Sequence, residues 1–201
     1  MTDQPFVHLH LHSQFSLLQS PIQFAPLLDK VSELGMGAVA ITDQANMFGA
    51  VEFHDKAHKK GLQPILGAEV YVTKGACTVK DKNNRATSHL QLLIQNEQGY
   101  KNLCRILTRG YFDGYYYTPR VDHEILAAHG EGLIAISTSM RGEVAAALAR
   151  GDEAAADEAA RFLATTYGED NVFLELQDVG WEDQLQANQN MRECAARVGL
   201  P

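Results

Sequence analysis

Cysteine is scarce in this chain: Cys77, Cys104 and Cys194 are odd in number, widely separated and without C-x-x-C spacing. No disulfide is expected, and a reduced intracellular setting fits best. Long apolar runs are missing too. No uncharged stretch approaches the roughly 18 residues of a membrane-spanning helix. Met1 to Pro5 offers neither a basic start nor an apolar h-region, so a cytoplasmic protein is expected. Positive charge is in deficit, with 17 Lys and Arg against 25 Asp and Glu and a formal net charge of -8. That balance argues against this segment gripping a polyanion by itself, and any DNA is expected to be held mainly by other domains. Internal repeats and Pro- or Ser-rich linkers are absent, and 201 residues suit one domain, residues 1–201.

What the chain does have is His8, His10 and His12 on alternate residues of FVHLHLHS. An extended strand sends every second side chain to the same face, so the spacing predicts a strand over 6–12 that starts a metal site. The plainer alternative is a half-buried strand whose polar face is histidine.

Downstream, apolar residues at helical spacing predict a helix over 22–34, with Gly35 as its stop. Short apolar runs predict strands over 37–43, 64–72, 89–95, 132–137 and 172–176. Between them lie predicted helices at about 50–60, 100–107, 122–128, 143–167 (a pair) and 183–198. Residues 74–88 are polar and predict a mobile loop, and 111–120 an irregular aromatic stretch. Strands alternating with helices throughout predict a parallel α/β sheet closing toward a barrel. Gly199-Leu200-Pro201 is where a seventh strand would begin, so the chain reads as a fragment truncated before that strand.

In parallel α/β folds chemistry gathers at strand ends. His10, His12, Asp43, Glu69 and His89 stand at or near such ends, and imidazoles with a carboxylate suit Zn, Fe or Mn. Taken singly, Glu69 could equally be a carboxylate satisfied by backbone, and His89 a sheet-edge cap. His54, His58, His123 and His129 fall on predicted helices or at their ends and are expected at the surface.

The segments FVHLHLHSQFSLL, AVAITDQANMFGAVEF, GLQPILGAEVYV, HLQLLIQNEQGYKNLCRIL, YYYTPRVDHEIL and GLIAISTSMRGEV together resemble the PHP (polymerase and histidinol phosphatase) domain at the N-terminus of the alpha subunit of bacterial DNA polymerase III. The resemblance runs through essentially the whole chain, in order. It implies a distorted (β/α)7 barrel that, in intact members, holds up to three metal ions and hydrolyses phosphodiesters as a 3′ to 5′ proofreading nuclease. By position, His10, His12, Glu69 and His89 match metal ligands, while His8 and Asp43 fall beside the ligands rather than among them.

Three of the seven ligand positions that the resemblance places within the chain are replaced. Gln19 stands where metal-binding members have Asp, Gln44 where they have His, and Ser139 where they have Cys. Carboxamides and hydroxyls are much weaker ligands for a divalent ion. The resemblance therefore implies a degenerate site with one divalent ion, Zn, Mn or Fe, or none. The expected role is a structural module and docking surface for a separate proofreading exonuclease, the nucleotidyl transfer being done by the remaining polymerase domains. The alternative is a metal-dependent 3′–5′ phosphoesterase with a reduced site. A free-standing phosphatase would need phosphate-binding cations, for which Arg120 and Arg141 are the candidates. Without metal, His10 and His12 are expected to be held by Glu69 or by backbone, because unpaired buried polar groups cost about 1–3 kcal/mol.

Overall fold

The computed structural model describes residues 6–201; Met1 to Pro5, read above for targeting signals, lie outside them. Contacts divide the chain into two compact units, Met1–Glu69 and Val70–Pro201. Among the described residues no helix is long and apolar enough to cross a membrane.

The first unit contains α1 (Phe24–Glu33), β1 (Ala38–Ile41), α2 (Ala50–Lys59) and the opening of β2 (Gln63–Thr73). β1 runs parallel to β2, from Ala38↔Gln63 to Ile41↔Leu66. The helical spacing of Phe24, Leu28 and Val31 sends all three inward, where they meet Val39, Ile41, Phe53 and Ala57 in one core cluster. Each of these side chains larger than alanine contributes about 1.5–3 kcal/mol on full burial. Gly35 and Gly61, both at φ 71°, let the chain turn back toward a strand at the end of each helix, as expected for Gly35.

The second unit takes the rest of β2, then β3 (Thr87–Ile94), α3 (Glu97–Phe112), β4 (Arg120–Val121), α4 (His123–Ala128), β5 (Leu133–Ser137), α5 (Glu143–Leu148), α6 (Glu153–Tyr167), β6 (Val172–Leu174) and α7 (Glu182–Val198). β4 pairs parallel with the end of β2, Tyr71↔Arg120 and Val72↔Val121. β5 pairs parallel with β6. The Pro201 carbonyl accepts from the Leu174 N–H at 2.8 Å.

Three expectations need correction. First, the sheet is mixed: β3 runs antiparallel to β5, with Leu90↔Ser137 and Ile94↔Leu133. Leu90 to Leu93 are consecutively buried, and a strand covered on both faces has no alternation from which direction could be read. Second, residues 6–12 form no regular strand. The Ala40 N–H donates to the His8 carbonyl and the Thr42 N–H to Leu11, so two steps along β1 face three along the N-terminal segment. That extra residue is a bulge, and it breaks the alternation the histidine spacing predicted. Third, α3 starts earlier and ends later than expected. The Asn96 side chain accepts from the Gly99 N–H at 3.0 Å and caps it, and the helix runs through Tyr111 to Phe112.

Candidate metal centre

The first unit brings His10, His12 and Glu69 together. His10 Nε2 lies 2.7 Å and His12 Nε2 3.0 Å from the same oxygen, Glu69 Oε2. A carboxylate oxygen only accepts, so each imidazole presents its N–H there. Glu69 is 4% exposed, and the two rings supply the partners without which a buried carboxylate would be costly.

Local backbone explains the convergence. Beyond the bulge, the Leu11 N–H donates to Thr42 Oγ1 at 3.0 Å, tying the histidine segment to the end of β1. Asp43 then anchors the next residues: its carboxylate accepts from the Ser13 N–H, the Ser13 hydroxyl and the Ser16 hydroxyl, at 2.6, 2.7 and 2.6 Å. On the other side the Glu69 N–H donates to the Asp43 carbonyl at 3.1 Å, and Ala45 N–H to the Glu69 carbonyl at 2.7 Å. Asp43 therefore supports the site through backbone on both sides. Ser13 and Ser16 were not singled out from the sequence. Their signal is weak, since serines near a strand end are common and only the fold shows which carboxylate they meet.

The donor set has the chemistry and spacing of a candidate metal site. The two imidazole nitrogens and the carboxylate oxygen lie within 4.8 Å of one another, and a catalytic zinc site is made of about three protein ligands plus one open position. Among the described residues no other trio of His, Cys, Asp or Glu is so placed. Gln19 is exposed, and Gln44 sits opposite Glu69 in a parallel bridge. His8 does not join: it is exposed and packs edge-on against Phe6, centroids 4.8 Å apart.

The remaining predicted residues belong to the second unit. His89 is half-buried on β3, edge-on to Tyr71 with centroids 4.9 Å apart. Ser139 is buried and donates its N–H to the Glu175 carboxylate at 2.9 Å. Arg120 is no phosphate ligand: it has 0% exposure and its guanidinium is spent on backbone carbonyls of Cys77, Val79, Asn84 and Gly114. Arg141 is exposed. His54 and His58 are at the surface as expected, whereas His123 and His129 are half-buried. His123 stacks on Phe162 with centroids 3.9 Å apart and meets Glu143 at 2.7 Å. The polar 74–88 segment is not simply loose chain, because Arg120 holds three of its carbonyls.

Comparison with known proteins agrees with this architecture. The family model described as PHP domain matches residues 8–179. DNA polymerase III subunit alpha of Treponema pallidum is 38% identical over 203 residues, covering 100% of this chain and 17% of the relative. The Deinococcus radiodurans subunit is 38% identical over 204 residues, covering 97% and 15%. The chain thus spans about a sixth of these relatives and matches their N-terminal region. A solved Bifidobacterium adolescentis structure, described as a metal-dependent phosphoesterase, superposes with a TM-score of 0.59 at 17% identity, covering 96% of this chain and 84% of that one. At that identity the likeness shows the fold. With a family model spanning most of its length and relatives of one kind aligned over 97–100% of it, the chain belongs to the PHP domain family.

Proposed function

We propose that the chain is the N-terminal module of a bacterial replicative DNA polymerase III alpha subunit, working in the cytoplasm with a reduced metal site. In this reading it is a scaffold for the polymerase domains and a docking surface for a separate proofreading exonuclease. Nucleotidyl transfer and most DNA contact belong to other domains.

The observation that carries the reading is the convergence of His10 and His12 on one oxygen of Glu69, with carboxamides at Gln19 and Gln44 where the family pattern calls for ionisable ligands. Those three donors would hold one divalent ion, Zn, Mn or Fe, which when bound supplies a Lewis acid. Clamping both the attacking and leaving oxygens takes two ions. The residues themselves do the positioning: Glu69 orients both rings, and Asp43 fixes the backbone beside them.

The surviving trio also supports a second reading, a metal-dependent 3′–5′ phosphoesterase of reduced competence. Metal content separates the two. Plasma mass spectrometry on the polypeptide extended beyond Pro201 and purified without chelator should find at most one ion per chain. Its 3′-end hydrolysis should be no faster than that of a Glu69→Gln, His12→Ala variant. Two or more ions, or hydrolysis that this variant abolishes, would overturn the scaffold reading.

A further inference from the structure

In the second unit one buried arginine holds a cation-rich loop beside a set of exposed tyrosines. Residues 74–86 carry Lys74, Lys80, Lys82 and Arg85, all exposed, against the single acid Asp81. The Asp81 carboxylate is engaged, accepting from the N–H groups of Asn83 and Asn84 at 2.7 and 3.1 Å. Arg120 bonds the Cys77 carbonyl at 2.8 Å and Val79 at 3.2 Å, reaches Asn84, and turns its Nε to the Gly114 carbonyl at 2.9 Å. The first three belong to the loop and Gly114 to the turn that follows α3. The cations and that turn are therefore fixed side by side.

Around that turn Tyr111, Tyr115 and Tyr117 are 41%, 50% and 65% exposed. The Tyr111 and Tyr115 rings stack, centroids 6.5 Å apart, and the Arg85 guanidinium lies 4.3 Å from the Tyr117 ring centroid. Tyr117 is held at φ 65°, a left-handed conformation that costs a bulky residue about 1–3 kcal/mol. That conformation sits in a tight turn closed by the Tyr116 N–H to the Thr118 carbonyl at 3.0 Å, and the Tyr117 ring, edge-on to Tyr116 at 4.7 Å, is left open to a partner on its exposed side.

A ligand that uses both halves of this surface carries repeated negative charge and bare planar faces. Single-stranded nucleic acid has both, phosphates for the cations and unstacked bases for the rings. An acidic peptide would engage the lysines and leave the tyrosines idle, and a duplex keeps its base faces stacked inside. The net charge of -8 does not oppose this, because screening confines each charge's influence to about 10 Å at 0.1 M salt. Within the loop the balance is four cations to one acid.

We propose that residues 74–86 and the Tyr111 to Tyr117 segment form a binding surface for single-stranded nucleic acid. Lys80, Lys82 and Arg85 take phosphates, and Tyr115 and Tyr117 take bases. The site is independent of the metal centre.

The test is fluorescence anisotropy of a labelled oligothymidylate of about 12 nucleotides with the 201-residue chain across a salt series. Saturable, salt-sensitive binding is expected, tighter than to a duplex of equal length. Tyr115→Ser and Tyr117→Ser should each weaken it about five-fold or more. Lys80→Gln and Lys82→Gln should each lower the slope of log affinity against log salt by about 0.7, while Lys56→Gln on α2 leaves it unchanged. Tyr117→Gly guards against misfolding, since glycine tolerates the positive φ. It should keep the circular dichroism and melting of the parent and lose the binding. Undiminished binding by the tyrosine variants, or equal affinity for duplex, would overturn the proposal. So would no binding at low salt, which would leave the surface to a polypeptide partner.

Discussion

Ser13 donates twice to Asp43, its N–H to Oδ1 at 2.6 Å and its hydroxyl to Oδ2 at 2.7 Å. The paired bonds fix the backbone immediately after His12, and the Asp43 carbonyl in turn receives the Glu69 N–H. One buried aspartate thus sets the distance between a histidine arm and the strand that carries its carboxylate.

Asp43→Asn should therefore act on stability and on the candidate metal centre together. The amide keeps an acceptor oxygen for the Ser13 N–H and the Ser16 hydroxyl but sets an N–H donor where Oδ2 accepts from the Ser13 hydroxyl, and loss of hydrogen bonds to a buried charge costs about 2 kcal/mol or more. The denaturant midpoint should fall with an unchanged slope. Zinc affinity, followed by calorimetric titration, should drop about 10- to 100-fold because the support of the ligands is disturbed.

Arg120→Lys should destabilise the chain by about 3 kcal/mol or more, although charge is kept. A lysine ammonium cannot span the carbonyls of Cys77, Val79, Asn84 and Gly114 that the planar guanidinium reaches. Equilibrium urea unfolding measures the loss. Arg141→Lys, at an exposed position, is the comparison and should change little.

Gly99→Ala sets helix propensity against packing. In a helix interior alanine is favoured over glycine by about 1 kcal/mol. Here a Cβ would stand 1.8 Å from the Gly132 carbonyl oxygen, a backbone atom that cannot rotate aside. Overpacking of this kind costs about 1–3 kcal/mol or more, so packing wins and the melting temperature should fall.

His123 predicts a pH dependence. Its hydrogen bond to Glu143 raises its pKa above the ordinary 6.5, with partial burial opposing. Protonation is then favoured in the folded state, so the contribution is fully present below about pH 6.5. It is lost as pH rises through the raised folded value. Urea midpoints from pH 5.5 to 9 should fall less with pH, over that window, in His123→Gln than in the parent.

Much of the fold was legible because local spacing decides it. Phe24, Leu28 and Val31 announce α1 by their period, and Gly35 its end. Of the residues that the resemblance named as ligands, His10, His12 and Glu69 lie together, while His89 belongs to the second unit. The spacing alone set His8 on one face with His10 and His12, whereas the structure leaves it exposed, because alternation assumes one residue per step and a bulge supplies an extra one.

By itself, then, the sequence determined where helices lie, though not both ends of α3, which residues are apolar enough to be buried, and which side chains have ligand chemistry, all properties of a residue and its near neighbours. Tertiary structure alone decided the antiparallel pairing of β3 with β5, the union of His10 and His12 on Glu69 across more than fifty positions, and the burial of Arg120 among four carbonyls. Each of these depends on hydrogen bonds between segments distant along the chain, and a backbone N–H or carbonyl is the same in every sequence until the fold selects its partner.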